Sequence, residues 1–348
     1  MPPPQRVTMA DVAREAGVSL MTVSRAVNGK GEISDETRER IQAVIKRLGY
    51  RPSGIARSLA TNHTATVGLV VLDNTNPFFS EIARGVEQVA YETGYKVFLC
   101  NTDEDIEREA EMLHSLEEKR VDGVILGGSR LDDASLYAGL RRHPAAVLVN
   151  RVLPQGSFGT VLVNDAHGTR CAVEHLIRAG HRTIGFLAGP PHSYSGHQRA
   201  AAYRATLKDA GLPQNTSWEQ GGAPTVAGGQ TAARQLLAAH PELTALFCYN
   251  DLTAVGALQA CAAMGLDVPG DVAIVGFDDI PMAAIVTPAL TTCHVPTYTL
   301  GRHAMDLLLA HICGCLEECE NIVVQPELMV RASAPRPSPT YSGSQVSG

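Results

Sequence analysis

Apolar and polar positions follow helical spacing through residues 8–49, with turn residues breaking the pattern twice. Val12, Ala16, Val18, Val23 and Val27 supply facing apolar groups on two short segments, and Ile41, Val44, Ile45 and Leu48 line a longer third. Thr8, Ser19 and Ser34 stand where these segments begin. A hydroxyl there accepts a first-turn N–H that the helix itself leaves unpaired. Gly17, the Asn28-Gly29 pair and Gly49 stand where they end, as a positive-φ closing residue requires. The pattern predicts three helices around one small core. A fourth helix, opened by Ser53 and running to about Leu59, is barely two turns long. A helix that short does not hold in water alone, so it must fold against something else.

From Thr66 the texture changes. Eight apolar runs alternate with amphipathic stretches: TVGLVVLD (66–73), KVFLCNTD (96–103), VDGVILGG (121–128), AAVLVN (145–150), TVLVND (160–165), TIGFLAG (183–189), ALFCYND (245–251) and DVAIVGFDD (271–279). Continuous Val/Ile/Leu runs separated by helices predict parallel strands covered on both faces. Five runs precede a second, similar series, which predicts two doubly wound α/β subdomains with a cleft between them. The expected organisation is a helix-turn-helix head over 1–51, a hinge helix and linker over 52–64 and an α/β body over 65–335. Within the body, one subdomain covers about 65–163 and 296–322, the other about 164–295 and 323–335. The Pro/Ser/Gly-rich stretch 336–348 reads as disordered and carries no heptads, so no coiled coil is expected there.

Charge sharpens the division. The chain of 348 residues carries a formal net charge of −7, yet residues 1–60 hold ten Lys+Arg against six Asp+Glu, a net of +4, leaving −11 for the rest. A basic head on an acidic body suits a chain whose head alone meets a polyanion. MPPPQR has no apolar core for a secretory signal, and no apolar run reaches membrane-spanning length. Eight Cys without close pairing fit a reducing compartment. The expectation is a cytoplasmic, nucleoid-associated protein with no membrane partner and no cofactor.

Two short helices joined by a tight Gly-containing turn are the geometry in which the second helix enters the DNA major groove. That second helix opens with Ser19-Leu20-Met21-Thr22, and Ser24 and Arg25 follow one turn on. Hydroxyls and free N–H groups at a helix start suit phosphate oxygens. Arg25 has the reach and the fork to hold a guanine edge. Leu59, apolar and without an evident core, suits a wedge between base steps in the minor groove.

At this point the chain resembles the lactose-repressor family of bacterial transcription regulators, over essentially its whole ordered length. The resemblance rests on TMADVAREAGVSLMTVSRAVNG, ISDETRERIQAVIKRLGYRPSGIARSL, VDGVILGG, HLIRAGHRTIGFLAGP, NDLTAVGAL, VPGDVAIVGFDD and PALTTCHVP, in the family's order. It implies a body of the periplasmic-binding-protein type, with a ribose-repressor-like effector domain, and a homodimer on a near-palindromic double-stranded operator. It implies phosphate contacts for Thr8, Ser19, Thr22, Ser24 and Asn28, base reading by Leu20, Met21 and Arg25, and the wedge at Leu59 with Ala56 beside it. Leu20 and Met21 depart from relatives with polar groups there and cannot hydrogen-bond a base edge strongly, so readout leans on Arg25.

Ligands of open α/β sheets sit beyond the carboxyl ends of the strands. Asn76, Phe78 and Phe79 follow the first strand, and Asn150 and Arg151 the fourth. Ser195 and Arg199 follow TIGFLAG, Asn250 ends ALFCYND, Asp278 ends VAIVGFDD, and His294 lies in PALTTCHVP. Arg and carboxylate forks suit vicinal hydroxyls, and an aromatic face covers the C–H side of a sugar ring. The set resembles the pentose and hexose sites of sugar-binding relatives that share NPFF and the ND…GFD pair. Ala223 supplies no aromatic group from the opposite side, and HSYSGHQR brings no extra Arg for a purine or phosphate. A small polyol, neutral or singly charged, is therefore the expected effector. It would reposition the subdomains and so change whether paired hinge helices fold on DNA; inducer and corepressor action both remain open.

Three other readings compete. An enzyme would show a GxGxxG after the first strand, a P-loop or a G-x-S-x-G elbow, and none is present. A periplasmic sugar-binding protein would have a leader and no helix-turn-helix. HICGCLEEC, with His311, Cys313, Cys315 and Cys319, lacks a C-x-x-C pair and continues an amphipathic helix, so no metal is expected there.

Overall fold

The computed structural model describes residues 7–28, 33–51, 63–154, 158–315 and 320–336. The chain divides into two units between Thr64 and Ala65.

The first unit holds α1 (Met9–Ala16), α2 (Leu20–Asn28) and α3 (Asp35–Leu48). Thr8 starts α1 with a reciprocal cap. Its hydroxyl oxygen accepts the Asp11 N–H at 3.3 Å, while the Asp11 carboxylate accepts the Thr8 N–H at 2.9 Å and the Thr8 hydroxyl at 2.7 Å. Gly17 closes the helix with φ 65°. Ser19 then accepts the Thr22 N–H at 3.1 Å and Ser34 the Thr37 N–H. Val12, Ala13, Ala16, Val23, Ile41, Val44 and Tyr50 make the core, and Arg47 donates to Glu15 at 2.6 Å, tying α3 to α1. Thr8→Ala removes the hydroxyl half of the capping box, leaving the residue-8 N–H on the Asp11 carboxylate, and is expected to cost this unit about 0.5–2 kcal/mol. Hydrogen exchange of the α1 amides checks it, and protection equal to wild type would overturn the capping role. The expected hinge helix, with Ala56 and Leu59, and all but the first residue of the expected tail over 336–348 lie outside the described residues.

The second unit begins β1 (Thr66–Val71), α4 (Pro77–Glu92), β2 (Lys96–Asn101), α5 (Ile106–Glu118), β3 (Gly123–Gly127), α6 (Asp133–Leu140), β4 (Ala146–Val149) and β5 (Gly159–Val163). It continues with α7 (Asp165–Arg178), β6 (Ile184–Ala188), α8 (Tyr194–Asp209), β7 (Glu219–Gly221), α9 (Val226–Ala239), β8 (Ala245–Cys248) and α10 (Asp251–Met264). The last elements are β9 (Ala273–Asp278), α11 (Pro281–Ile285), β10 (Thr291–His294), α12 (Thr297–Ile312), β11 (Asn321–Val324) and β12 (Glu327–Met329).

All eight apolar runs form strands, in two six-stranded sheets of order β11-β5-β4-β3-β1-β2 and β12-β10-β9-β8-β6-β7. Every pairing is parallel except β10 with β12. Alternate side chains explain the continuous apolar runs. Leu69 and Val71 pack with α4 and α12 on one face of the first sheet, while Val70 packs with Leu113 and Leu116 of α5 on the other. Among the described residues the chain passes between the sheets at three places: after β5, after β10 and after β11.

Helices α4 and α12 touch backbone to backbone. A Cβ on Gly85 would stand 2.2 Å from the Tyr298 carbonyl oxygen, and one on Gly301 would stand 2.1 Å from that of Ile82. Only glycine permits this approach.

Candidate functional site

A cleft opens where the carboxyl ends of the two sheets face each other, the place at which open α/β sheets hold their ligands. From the first sheet it is lined by Asp73, Asn76, Phe78, Phe79, Glu104, Arg130 and Asn150, and from the second by Ser193, Tyr194, Ser195, Arg199, Pro224, Tyr249, Asn250 and Asp278.

The aromatic wall follows from local sequence. Asn76 caps α4 by accepting the Phe78 N–H at 3.0 Å, and Pro77 occupies the first helical turn, where no N–H is required. This start aims Phe78 and Phe79 at the cleft, their rings edge to face with centroids 5.2 Å apart.

The opposite wall is polar and buried. Arg199 is 3% exposed. Its Nε donates to Asp165 at 2.8 Å, its Nη1 donates to the Tyr249 carbonyl, and its Nη2 stands 3.7 Å from Asp278. The Phe277 ring lies 3.7 Å from the guanidinium carbon. Burial alone would make Arg199 easier to deprotonate, but Asp165 and then Asp278 hold it charged above its ordinary value. Burial pushes the Asp278 carboxyl well up, and Arg199 opposes this only in part. Of the two carboxylates, Asp165 is hydrogen-bonded to the guanidinium and Asp278 is not. The Asp278 side chain therefore faces the cleft with no hydrogen-bond partner among the described residues, and its carboxyl can accept from a hydroxyl in either protonation state.

The backbone at this rim is unusual. Asn150, Asp278 and Asp279 have φ of 53°, 116° and 58°. Non-glycine residues in this region cost about 1–3 kcal/mol each and persist where surroundings over-determine them. The surroundings here are specific. Asp251 accepts the Ile280 N–H at 2.8 Å and the Thr292 hydroxyl at 2.5 Å, pinning the loop just past Asp279. Burial pushes the Asp251 carboxyl up to about 7. Because the folded value lies above the unfolded one, the folded state holds this proton more tightly. The associated stability is full below about pH 4 and is lost as pH rises through about 7. Asp251→Asn should remove that component, so its stability difference from wild type shifts in the mutant's favour between pH 4.5 and 7.5. Urea denaturation at the two pH values measures it, and a pH-independent difference would overturn the assignment.

Asn76, Phe78, Phe79, Asn150, Ser195, Arg199, Asn250 and Asp278, all singled out in the sequence, meet in this cleft. Arg151 and His294 do not. The positive φ of Asn150 turns the chain, and Arg151 donates instead to Asp133 at 2.7 Å and to the Leu131 carbonyl. His294 pairs with Asp279 at 3.0 Å. Sequence reading also passed over Arg130, which donates to both oxygens of Glu104, at 2.5 and 3.1 Å. The buried Glu109 accepts the Arg130 N–H at 2.8 Å and the Ser129 hydroxyl, fixing that loop. Its position directly after VDGVILGG was the available signal. Tyr249, whose hydroxyl lies 3.0 Å from Ser193 Oγ, was likewise overlooked inside ALFCYND.

On the first unit, α2 buries Val23 and presents Leu20 (53% exposed), Met21 (64% exposed) and Arg25 outward. Ser19 and Thr22 lie on the exposed start of that helix with their hydroxyls 2.9 Å apart. One donates to the other, so the acceptor's own O–H can point outward. Ser24 is half-buried, and Thr8 is engaged within its cap. Asn28 is the last residue of α2; its side chain lies outside the described residues.

Known proteins share this arrangement. Residues 8–53 match the model of bacterial regulatory proteins, lacI family, and residues 173–334 that of the periplasmic binding protein-like domain. The ribose operon repressor of Escherichia coli (strain K12) is 39% identical over 329 residues, covering 94% of this chain and 99% of that protein. The chain belongs to the lacI family of bacterial regulatory proteins. Among solved relatives of this lacI-family chain, the lac repressor dimer bound to operator and the anti-inducer ONPF superposes with a TM-score of 0.85 at 29% identity, over 95% of this chain and all of that one. A LacI family transcriptional regulator from Enterococcus faecium with bound ribose gives 0.70 at 28% identity, over 78% and 100%. This lacI-family member is a DNA-binding transcriptional regulator under small-molecule control, and not an enzyme. Among the described residues no helix is long and apolar enough to cross a membrane.

Proposed function

We propose that this regulator is a repressor that binds a near-palindromic operator as a homodimer, in the cytoplasm and in association with the nucleoid, and that its effector is a neutral sugar or polyol of pentose or hexose size. The observation that carries the effector reading is the pairing at the cleft. Both lining arginines already face carboxylates, Arg199 with Asp165 and Asp278, Arg130 with Glu104. A phosphate or carboxylate entering here would meet more acid than base. A hydroxyl pair meets what it needs: Asp278 as acceptor, the Arg199 guanidinium as donor, and the Phe78–Phe79 wall for the C–H face. Two relatives support the class, one named for the ribose operon and one solved with ribose.

The dimer is supported by exposed apolar side chains on both subdomains. Tyr91 and the edge-strand residues Phe98 and Leu99 lie on the first, and Met264, Met282 and Ile285 on the second. A two-fold axis places each patch against its own copy.

The role expected of Arg25, Leu20 and Met21 rests on their exposure on α2. In the cleft, Asp278 and Arg199 are assigned to the effector hydroxyls and Phe78 and Phe79 to its ring. The test is a thermal-shift screen of the purified protein against aldoses, polyols, sugar phosphates and nucleobases. At a hundred times its Kd, a true ligand adds about 2.7 kcal/mol of stability. A neutral sugar or polyol should raise the melting temperature and alter DNA retention. A response confined to sugar phosphates or nucleobases would overturn the effector class.

A further inference from the structure

Each polar wall of the cleft is tied to a place where the chain passes between the sheets. After β5, Asn150 of the cleft accepts the Val163 N–H at 2.9 Å, and Arg199 donates to Asp165 at 2.8 Å. After β10, the Asp278 carbonyl accepts the Val295 N–H at 3.2 Å. The passage after β11 is joined to the first by Asn164, whose Nδ2 donates to Gln325 at 2.9 Å.

Asp279 closes this circuit from behind. Its side chain turns to His294 and Arg331 instead of lining the cleft. Its Oδ2 lies 3.0 Å from His294 Nδ1, on the last residue before the second passage. Its Oδ1 accepts from Arg331 at 2.7 Å, beyond the third passage. Arg331 in turn donates to the Leu290 carbonyl at 2.9 Å. Any shift of Asp278 toward an arriving hydroxyl therefore moves Asp279, and Asp279 is held by residues flanking two of the three passages. None of Asp279, His294 and Arg331 lines the cleft.

We infer that Asp279, gripped by His294 and Arg331, is a positioning residue that couples effector occupancy to the angle between the subdomains without touching the effector. The inference rests on the proposed reading of the cleft. It assigns His294 a place in signal transmission in place of the ligand contact expected from sequence.

The experiment uses the full-length protein, D-ribose as probe, and a duplex that the protein itself selects from random DNA. Duplex Kd is measured with and without saturating D-ribose, and D-ribose Kd on the free protein by calorimetry. Wild type should show a coupling ratio within the roughly 5–150-fold range usual for allosteric sites. Asp279→Asn, which tolerates the same backbone, should keep ribose affinity and ribose-free DNA affinity within about threefold while its coupling ratio falls toward one. His294→Gln, on a surface-exposed side chain, provides the same reading should Asp279→Asn fold poorly, and Arg331→Lys should restore part of the coupling relative to Arg331→Met. A general loss of structure would instead lower the melting temperature and weaken both ligands with the ratio intact. An unchanged ratio in Asp279→Asn and His294→Gln overturns the inference while the cleft reading stands. Loss of ribose binding in both variants overturns it by making Asp279 part of the site. Absence of ribose binding to wild type overturns the sugar reading, and this inference with it.

Discussion

Arg199→Met is expected to lower folding stability by about 3–5 kcal/mol and to abolish the effector response. Removing one partner of a buried ion pair leaves the other charge uncompensated. Here two carboxylates are stranded, Asp165 and Asp278, and both are already pushed up by burial with Arg199 opposing. Without the guanidinium both rise further. A carboxyl whose folded value exceeds its unfolded value contributes stability that is full at low pH and is lost as pH rises through the folded value. The variant's deficit should accordingly be smaller at pH 5 than at pH 8. Asp165→Asn placed on the Arg199→Met background should recover part of the loss, because it removes one stranded charge. Chemical denaturation at both pH values reads the outcome. A deficit independent of pH, or a second substitution that adds to the loss, would show that the pairing carries little of the stability.

The other large effect belongs to α2, the helix proposed to read DNA. Arg25→Ala should weaken binding to a selected duplex by about 1–3 kcal/mol, the worth of one good base contact, while binding to random duplex changes little. The reason is the poverty of its neighbours. Leu20 and Met21 are exposed on the same face of α2 but offer only methyl and thioether surface. They can touch thymine methyls, not pair with base edges. Anisotropy titrations with the two duplexes over a range of salt separate the cases. Equal weakening on both would mark Arg25 as a phosphate contact instead.

How much of this was legible in the sequence varies with the kind of signal. Seven of the eight expected strands are visible because both their faces are covered, which forces unbroken apolar runs; the edge strand β2 is visible through the apolar Val97, Phe98 and Leu99 although it is largely exposed. Strands β7, β10, β11 and β12 are three or four residues long and partly polar, and EQG or ELM carries no period at that length. The cleft was legible where a residue directly ends a strand or caps the next helix, as with Asn76, Asn250 and Asp278. It was not legible one residue past such an end when the backbone turns through positive φ, as after Asn150, because side-chain direction beyond the turn no longer follows from alternation. Arg151 is lost from the cleft for that reason. Arg130, two residues past VDGVILGG, stands where a strand end could have flagged it, but the contact that fixes its loop, from Glu109 on α5, is long-range and has no local pattern.

The glycine contact between α4 and α12 bears on how the cleft works. Phe78 and Phe79 sit at the start of α4, and α12 begins three residues after His294. With Gly85 and Gly301 seating one helix directly on the other, no side chain lies between them to act as a cushion. The aromatic lip and the second strand passage thus behave as two ends of a single stiff lever, and any widening of that seat would loosen the lip and the pivot at the same stroke.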